Sequence, residues 1–392
     1  MRCRNRRASV CEPCSRLHAG DTFHLVRAGL SGGKGVPDAV CECPRLFVTL
    51  TAPSFGPVHR VLDGEHCHPR RDDPLCEHGR RLGCGLVHTD DDPLVGLPIC
   101  PDCYDYVGHV LWHAHAGRLW DRFTTAVRRY LASAGGIARS GLGGHLVVSF
   151  AKVAEFQRRA AIHFHAVVRL DGPDGPGSSA PAWATEDLLL DGVEHAAASS
   201  FVTMPDSDAY GTERVGWGGQ FDARPIRSFP DGDVPPDAAV AGYVAKYVTK
   251  GAAETAAGLD YRVTSLEGIR AAIVNDHVRA LMGTCWRLGG LAELEHLRLR
   301  TWAHSLGHRG HILSKSRRYS TTYAVLRADR AEHRRTDTGP VDDPNTVTES
   351  TWRYVGSRHT LGAAQLAAGI AEDLAIGREF AREAMADWGP EA

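Results

Sequence analysis

Apolar positions recur along this chain with two different periods, and the change from one to the other marks its elements. Residues 146–156 and 161–170 are two apolar runs separated by the polar Gln157, Arg158 and Arg159. That is the pattern of a β-hairpin with the polar triplet at its tip. A turn centred on Arg159 sets Glu155 opposite His163, and the two-residue repeat of a strand turns His165 to the same face. Residues 45–51 alternate, are β-branched and stop before Pro53, which predicts a further strand. From 105 to 132 the apolar positions return at helical spacing, among them Val107, Val110, Leu111, Trp120, Phe123, Val127 and Leu131. Helical readings also cover 183–198, 235–251 and an Ala-rich stretch at 361–386. The one at 235–251 has Pro near its start, Asp237 in its first turn and Gly251 just past its end. Residues 171–181 are rich in Gly, Pro and Ser and read as a surface loop, and 218–228 offers one or two short strands. These elements predict an α+β fold, an antiparallel sheet of about five strands with helices packed on it.

The hairpin places two imidazoles and a carboxylate on one rigid face. His163, His165 and Glu155 make a ligand set for a divalent cation with open positions, suited to Mg, Mn or Zn chemistry on an oxygen-rich substrate. His-x-His alone carries little weight, since His66/His68 and His113/His115 repeat it. On the helix at 235–251, Tyr243 and Tyr247 are four apart, as are Lys246 and Lys250, so each pair shares a strip of one face. His109 and His113 are also four apart on their helix, but with no third ligand type nearby they read as a structural pair.

Composition narrows the class. The 392 residues are 43% hydrophobic and 23% charged, which is ordinary for a soluble globular protein with two or three cores. No apolar run reaches membrane-spanning length, and the basic start MRCRNRR is not followed by the apolar region of a signal peptide. A cytoplasmic protein is expected, with reduced thiols, so clustered cysteines argue for metal rather than disulfides.

Ten of the eleven cysteines precede residue 104. Two Cys-x-x-Cys knuckles, Cys11/Cys14 and Cys100/Cys103, each have further thiols at loop-forming distance, which predicts two structural zinc sites. Cys11, Cys14, Cys41 and Cys43 are the expected ligands of the first, with Cys3 as a competitor. Cys76, Cys84, Cys100 and Cys103 are expected for the second, with Cys67, His68, His78 and His88 as competitors. The net charge of -2 does not announce a nucleic-acid binder, but it conceals local asymmetry. Between 298 and 335, ten Lys and Arg residues face only Asp329 and Glu332, a candidate phosphate-binding stretch.

Phe47-Val-Thr-Leu-Thr51, then His163-Phe-His165, then Tyr243-Val-Ala-Lys-Tyr247-Val-Thr-Lys250 stand in that order. The series resembles the HUH endonuclease superfamily of rolling-circle replication initiators and relaxases. The doubled tyrosine motif is similar to that of the gene A initiators of small single-stranded DNA phages. The Cys-rich flanks and the segment 301–322 look like the RepSA-type initiators of actinobacterial plasmids and integrative elements. The motifs cover about 45 to 251, and the RepSA-like resemblance extends over most of the chain. It implies an HUH fold with a Cys-rich zinc module at 1–44 and an endonuclease domain at 45–252 that carries a zinc-rich insertion at about 60–104. A basic, then helical region follows at 253–392. It implies that His163, His165 and Glu155 hold catalytic Mg or Mn, that Tyr247 is the nucleophile with Tyr243 as a second tyrosine, and that Lys246 and Lys250 are the helix lysines. The activity implied is nicking of origin single-stranded DNA through a 5'-phosphotyrosine, with a host helicase and polymerase as further partners. A relaxase or transposase would use the same chemistry on another pathway, and a zinc-containing DNA-binding regulator would bind without cutting.

Overall fold

The computed structural model describes residues 5–8, 10–70, 72, 74–226, 236–249, 259 and 261–337. In chain order its elements are α1 (Glu12–Ser31), β1 (Arg45–Leu50), α2 (Tyr106–Ala134), β2 (Val147–Phe156), β3 (Ile162–Asp171), α3 (Glu186–Ser199), β4 (Phe201–Thr203), β5 (Arg214–Gly216), β6 (Phe221–Pro225), α4 (Pro236–Thr249), α5 (Leu266–Arg270), α6 (Asp276–Leu288), β7 (Leu313–Lys315) and α7 (Tyr323–Asp337). Residues 1–333 form one compact unit and 334–392 a second, nearly all of which lies outside the described residues. The helical reading at 361–386 and the expected domain limit near 252 fall outside them too.

Five strands make one antiparallel sheet in the order β6-β1-β3-β2-β7, while β4 and β5 form a separate pair. The α+β class and the five-stranded sheet are therefore as expected. The hairpin strand β3 sits in the middle of the sheet because it is apolar on both faces, and nine of its ten residues are buried. Side-chain parity divides the sheet into two faces. On one face Trp120 of α2 lies edge-on to Phe150 and Phe164, at 5.1 and 6.1 Å between centroids. On the other, Arg45 and Arg169 reach through to the carbonyls of Leu30 and Gly29 at the end of α1. Asp171 accepts two bonds from Arg169, so the buried guanidinium is paired as well as bonded.

Helix α1 was not anticipated from the cysteines around it. Thr22, Leu25, Val26, Gly29 and Leu30 are all buried and follow helical spacing, and Gly32-Gly33 ends the run. Leu25, Val26 and Leu30 belong to the same core as β1 to β3. Helix α2 starts where Asp105 accepts the Gly108 amide at 2.7 Å as its N-cap.

Candidate active site and Cys/His clusters

Strand register brings the hairpin chemistry together. Glu155 pairs with His163 across β2 and β3, while His165 lies between Val153 and Thr49. His165 Nε2 is 2.8 Å from Glu155 Oε2, and its Nδ1 is 3.0 Å from Thr49 Oγ1. Phe47, two residues before Thr49 on the same face of β1, stacks its ring on that of His165 at 5.8 Å. Helix α4 then lays Tyr243 over the group. Its hydroxyl donates to Glu155 Oε2 at 3.1 Å and lies 3.2 Å from His165 Nε2. Tyr243 and Phe47 together leave His165 only slightly exposed, at 6%.

His163 completes the arrangement. Its Nε2 is buried with no hydrogen-bond partner among the described residues. Burial first, then Arg159 and His165, push its pKa down to about 3 against the opposing pull of Glu155. The ring is therefore neutral near pH 7, and a buried polar atom left unpaired costs about 1–3 kcal/mol. Two imidazoles and a carboxylate on one face, one of them with an unclaimed nitrogen, fit a divalent cation. Thr49 has the place of a supporting residue, because a bond to Nδ1 fixes the ring orientation of His165. The sequence held a signal for it: the alternation in 47–51 puts Phe47 and Thr49 on one face. Lys246 is exposed, three residues beyond Tyr243. Tyr247 also belongs to α4, but its side chain and the whole of Lys250 lie outside the described residues.

The hairpin tip is tied down from three directions. Arg159 donates to Gln157 Oε1, to Pro53 O at 3.2 Å and to Ala52 O at 3.3 Å. His277 of α6 donates from Nε2 to Arg159 O at 3.0 Å. Gly96, at φ +91°, passes so close that a Cβ there would come within 2.5 Å of the Arg158 carbonyl. Only glycine tolerates both that approach and that backbone.

The cysteines do not gather as their spacing suggested. Cys76 and Cys84, expected in one site, lie in two. His59, Cys67, Cys84 and His88 converge with their donor atoms within 4.8 Å of one another, as do Cys76, His78, Cys100 and Cys103. Each set has four Cys/His donors at a spacing that could hold a metal such as zinc. The two sets interleave because the chain folds back at Val58↔Pro98 and again at His68↔Cys84, which brings distant thiols together and parts near ones. His88 Nε2 is 3.1 Å from His59 Nδ1 and 3.4 Å from Cys84 Sγ, while its Nδ1 donates to Asp92 at 2.6 Å. That outer carboxylate orients the ring toward the cluster. His78 and His88 had been competitors in the sequence, whereas His59 carried no signal. His68, another competitor, instead donates to Val58 O at 2.8 Å.

The proposed set of Cys11, Cys14, Cys41 and Cys43 is parted by α1. Cys11 and Cys14 open that helix, whereas Cys43 lies beyond its end, beside Asp171. The rise from Cys14 to Gly29 alone is about 22 Å, too far for a shared ion. Cys41 is exposed, and burial with the nearby Asp171 carboxylate pushes the Cys43 thiol up to about 11. His109 and His113 are buried structural residues, bonded to each other at 3.3 Å and to Tyr104 and the Leu306 carbonyl.

Comparison with known proteins gives the family. The family model RepSA, described as "Replication initiator protein, pSAM2", matches residues 1–372. This chain belongs to the RepSA replication-initiator family. A "Replication initiator protein" of Streptomyces ambofaciens is 47% identical over 397 residues, covering 99% of this chain and 83% of the relative. No solved structure matches this RepSA protein. Among the described residues, no helix is long and apolar enough to cross a membrane.

Proposed function

We propose that this RepSA initiator is an HUH-type, metal-dependent DNA nickase and strand transferase that opens its origin through a tyrosine. What supports the reading is one observation: the Tyr243 hydroxyl meets Glu155 and His165 beside the unpartnered nitrogen of His163. His163, His165 and Glu155 would hold Mg or Mn, which when bound polarises the scissile phosphate and offsets charge building on its oxygens.

The remaining work falls to residues of this chain. Glu155 takes the Tyr243 hydroxyl proton as the oxygen attacks, since a free phenol, with a pKa of about 10, is a weak nucleophile near neutral pH. Attack of that oxygen on phosphorus forms the phosphotyrosine bond and breaks the bond to the 3' oxygen, which takes up a proton. A 5'-phosphotyrosine and a free 3'-hydroxyl result. The hydroxyl is a primer for a host polymerase, and strand opening calls for a helicase. Because the phosphodiester energy is kept in the tyrosine ester, the 3'-hydroxyl can reverse the step without ATP. Tyr247, one turn along α4, is the second nucleophile in this reading, so that one tyrosine makes the terminating cut while the other holds DNA. Lys246 and Lys250 neutralise the phosphate near them. The two Cys/His sets hold structural zinc.

The test uses the full chain, single-stranded DNA from the presumed origin and Mn or Mg. A denaturation-resistant protein–DNA band that His163→Ala abolishes supports the reading. Tyr243→Phe should remove nicking or strand transfer; if it leaves both intact, Tyr243 is not a nucleophile. Tight specific binding with no adduct under either metal would replace the nickase with a DNA-binding regulator.

A further inference from the structure

Several cations nominated by the sequence between 298 and 335 are already engaged. Arg330 pairs with Asp21, Arg309 donates to the His296 carbonyl, Arg318 to Pro173 O, and Arg300 to Trp286 O. The opposite situation holds on α2. Arg118, Arg122 and Arg129 recur at helical spacing on one exposed strip, and Arg139 from the short turn Arg139–Gly144 joins them along a groove of about 990 Å³. None of the four makes a hydrogen bond or ion pair among the described residues. His195 of α3 lines the same groove, and Asp121 is its single acidic lining residue.

We propose that this groove is a docking surface for the phosphate backbone of duplex DNA, separate from the tyrosine site. Charge favours a polyanion, with four guanidiniums against one carboxylate on a chain whose net charge is only -2. The strip from Arg118 to Arg129 rises about 16 Å, the span of roughly five base-pair steps of B-DNA. The aromatic rings favour duplex over single strand. A groove for single strands offers free ring faces on which bases stack. Here Phe201 is covered by the Arg214 guanidinium at 4.6 Å, and Tyr130 packs beside His195 at 5.3 Å. Those rings are occupied, and phosphate contact is what remains.

The position matters for function. Helix α2 covers the sheet face that carries Phe150 and Phe164, whereas His165 and Tyr243 lie on the opposite face. DNA gripped in the groove is therefore held away from the nucleophile, so that a duplex arm can stay anchored while an unpaired strand reaches the tyrosine around the sheet.

The test compares wild-type chain with Arg122→Glu/Arg129→Glu and Arg122→Lys/Arg129→Lys. Affinity for a short origin duplex is measured across a salt series, alongside adduct formation on a single-stranded origin oligonucleotide. The charge reversal should weaken duplex binding at least about tenfold and reduce the slope of log affinity against log salt by about 2. The lysine pair should keep most of both, and the single-strand adduct should be unchanged in each variant. Unchanged duplex affinity and slope after charge reversal would overturn the proposal, whether the groove then serves an acidic protein or nothing. Duplex binding that depends on these arginines in a chain that forms no adduct would uphold this surface while removing the nickase reading.

Discussion

The hairpin site and the Cys/His-rich stretch that precedes α2 are neighbours, yet they are held by opposite means. Glu155, His163 and His165 stand on β2 and β3, ten-residue strands paired along their whole length and buried between helical layers. Between Thr51 and Asp105 the described backbone has only isolated bridges, turns and one short 3-10 helix, and Leu75, Leu86, Val87 and Leu94 are exposed. A core supplies the order of the first region. In the second, little is buried against chain entropy, and two sets of four donors could hold metal in place of a core. The difference teaches that the hairpin site should keep its geometry without any ion, whereas the insertion should not.

The largest effect expected tests that contrast directly. With zinc bound as proposed, stripping the ions from both Cys/His sets withdraws about 10 kcal/mol of binding energy per site from this stretch. Limited proteolysis should then cut between 53 and 105 while β2 and β3 stay protected. Cys76→Ser and Cys84→Ser should each remove one ion by elemental analysis, and the double variant two. Loss of a single ion by the double would mean that both thiols share one site after all.

Next in size is the hairpin. His163→Ala should lower adduct formation about a thousandfold, the equivalent of several kcal/mol at the transition state. Its unfolding midpoint should change little, because the imidazole nitrogen it removes has no hydrogen-bond partner among the described residues. A large drop in stability would place His163 among the structural residues instead.

Acid separates core from insertion on a smaller scale. His113 and His308 are fully buried, and burial pushes their pKa values down to about 4 and about 3. Both sit below the unfolded value of 6.5, so the unfolded chain takes up protons that the folded chain refuses. Their contribution is complete above pH 6.5 and is lost as pH falls toward 4. Each adds about 1.4 kcal/mol per pH unit to the slope of stability in that window. Neither ring nitrogen of His308 has a hydrogen-bond partner among the described residues, so His308→Phe should flatten the slope by that amount with little loss at neutral pH. Denaturant titrations across the window measure it, and an unaltered slope would show that His308 does not titrate there.

The smallest effect concerns ring orientation. Thr49→Val keeps the shape of β1 but removes the bond to His165 Nδ1, and should cost about tenfold in adduct formation with the metal requirement raised. Unchanged metal dependence would mean that Phe47 stacking alone orients the ring.

How much of this was legible depends on the range over which each feature is fixed. Period-two alternation and a polar triplet were enough to set Glu155 against His163, because a hairpin register is decided within a few residues of its turn. The same local logic gave α2, and α4 with Tyr243. The Cys-rich flanks and the segment 301–322 gave the RepSA family, now shown over residues 1–372. Helix α1 was legible in principle, from Thr22, Leu25, Val26 and Gly29, but the knuckle spacing beside it pointed elsewhere. The thiols could not be sorted from spacing, since ligand grouping depends on which loops cross, and His59 reaches its cluster only through the fold.

By itself, then, the sequence determined the central hairpin and its register, β1, α2, α3, α4 and the initiator family, all features carried by neighbouring residues or by local motifs. Tertiary structure decided that Tyr243 touches Glu155, which cysteines meet, which arginines bind carbonyls and which stay open along α2. Those outcomes turn on distances between residues far apart in the chain, and such distances are set only when the sheet and its two helical layers close on one another.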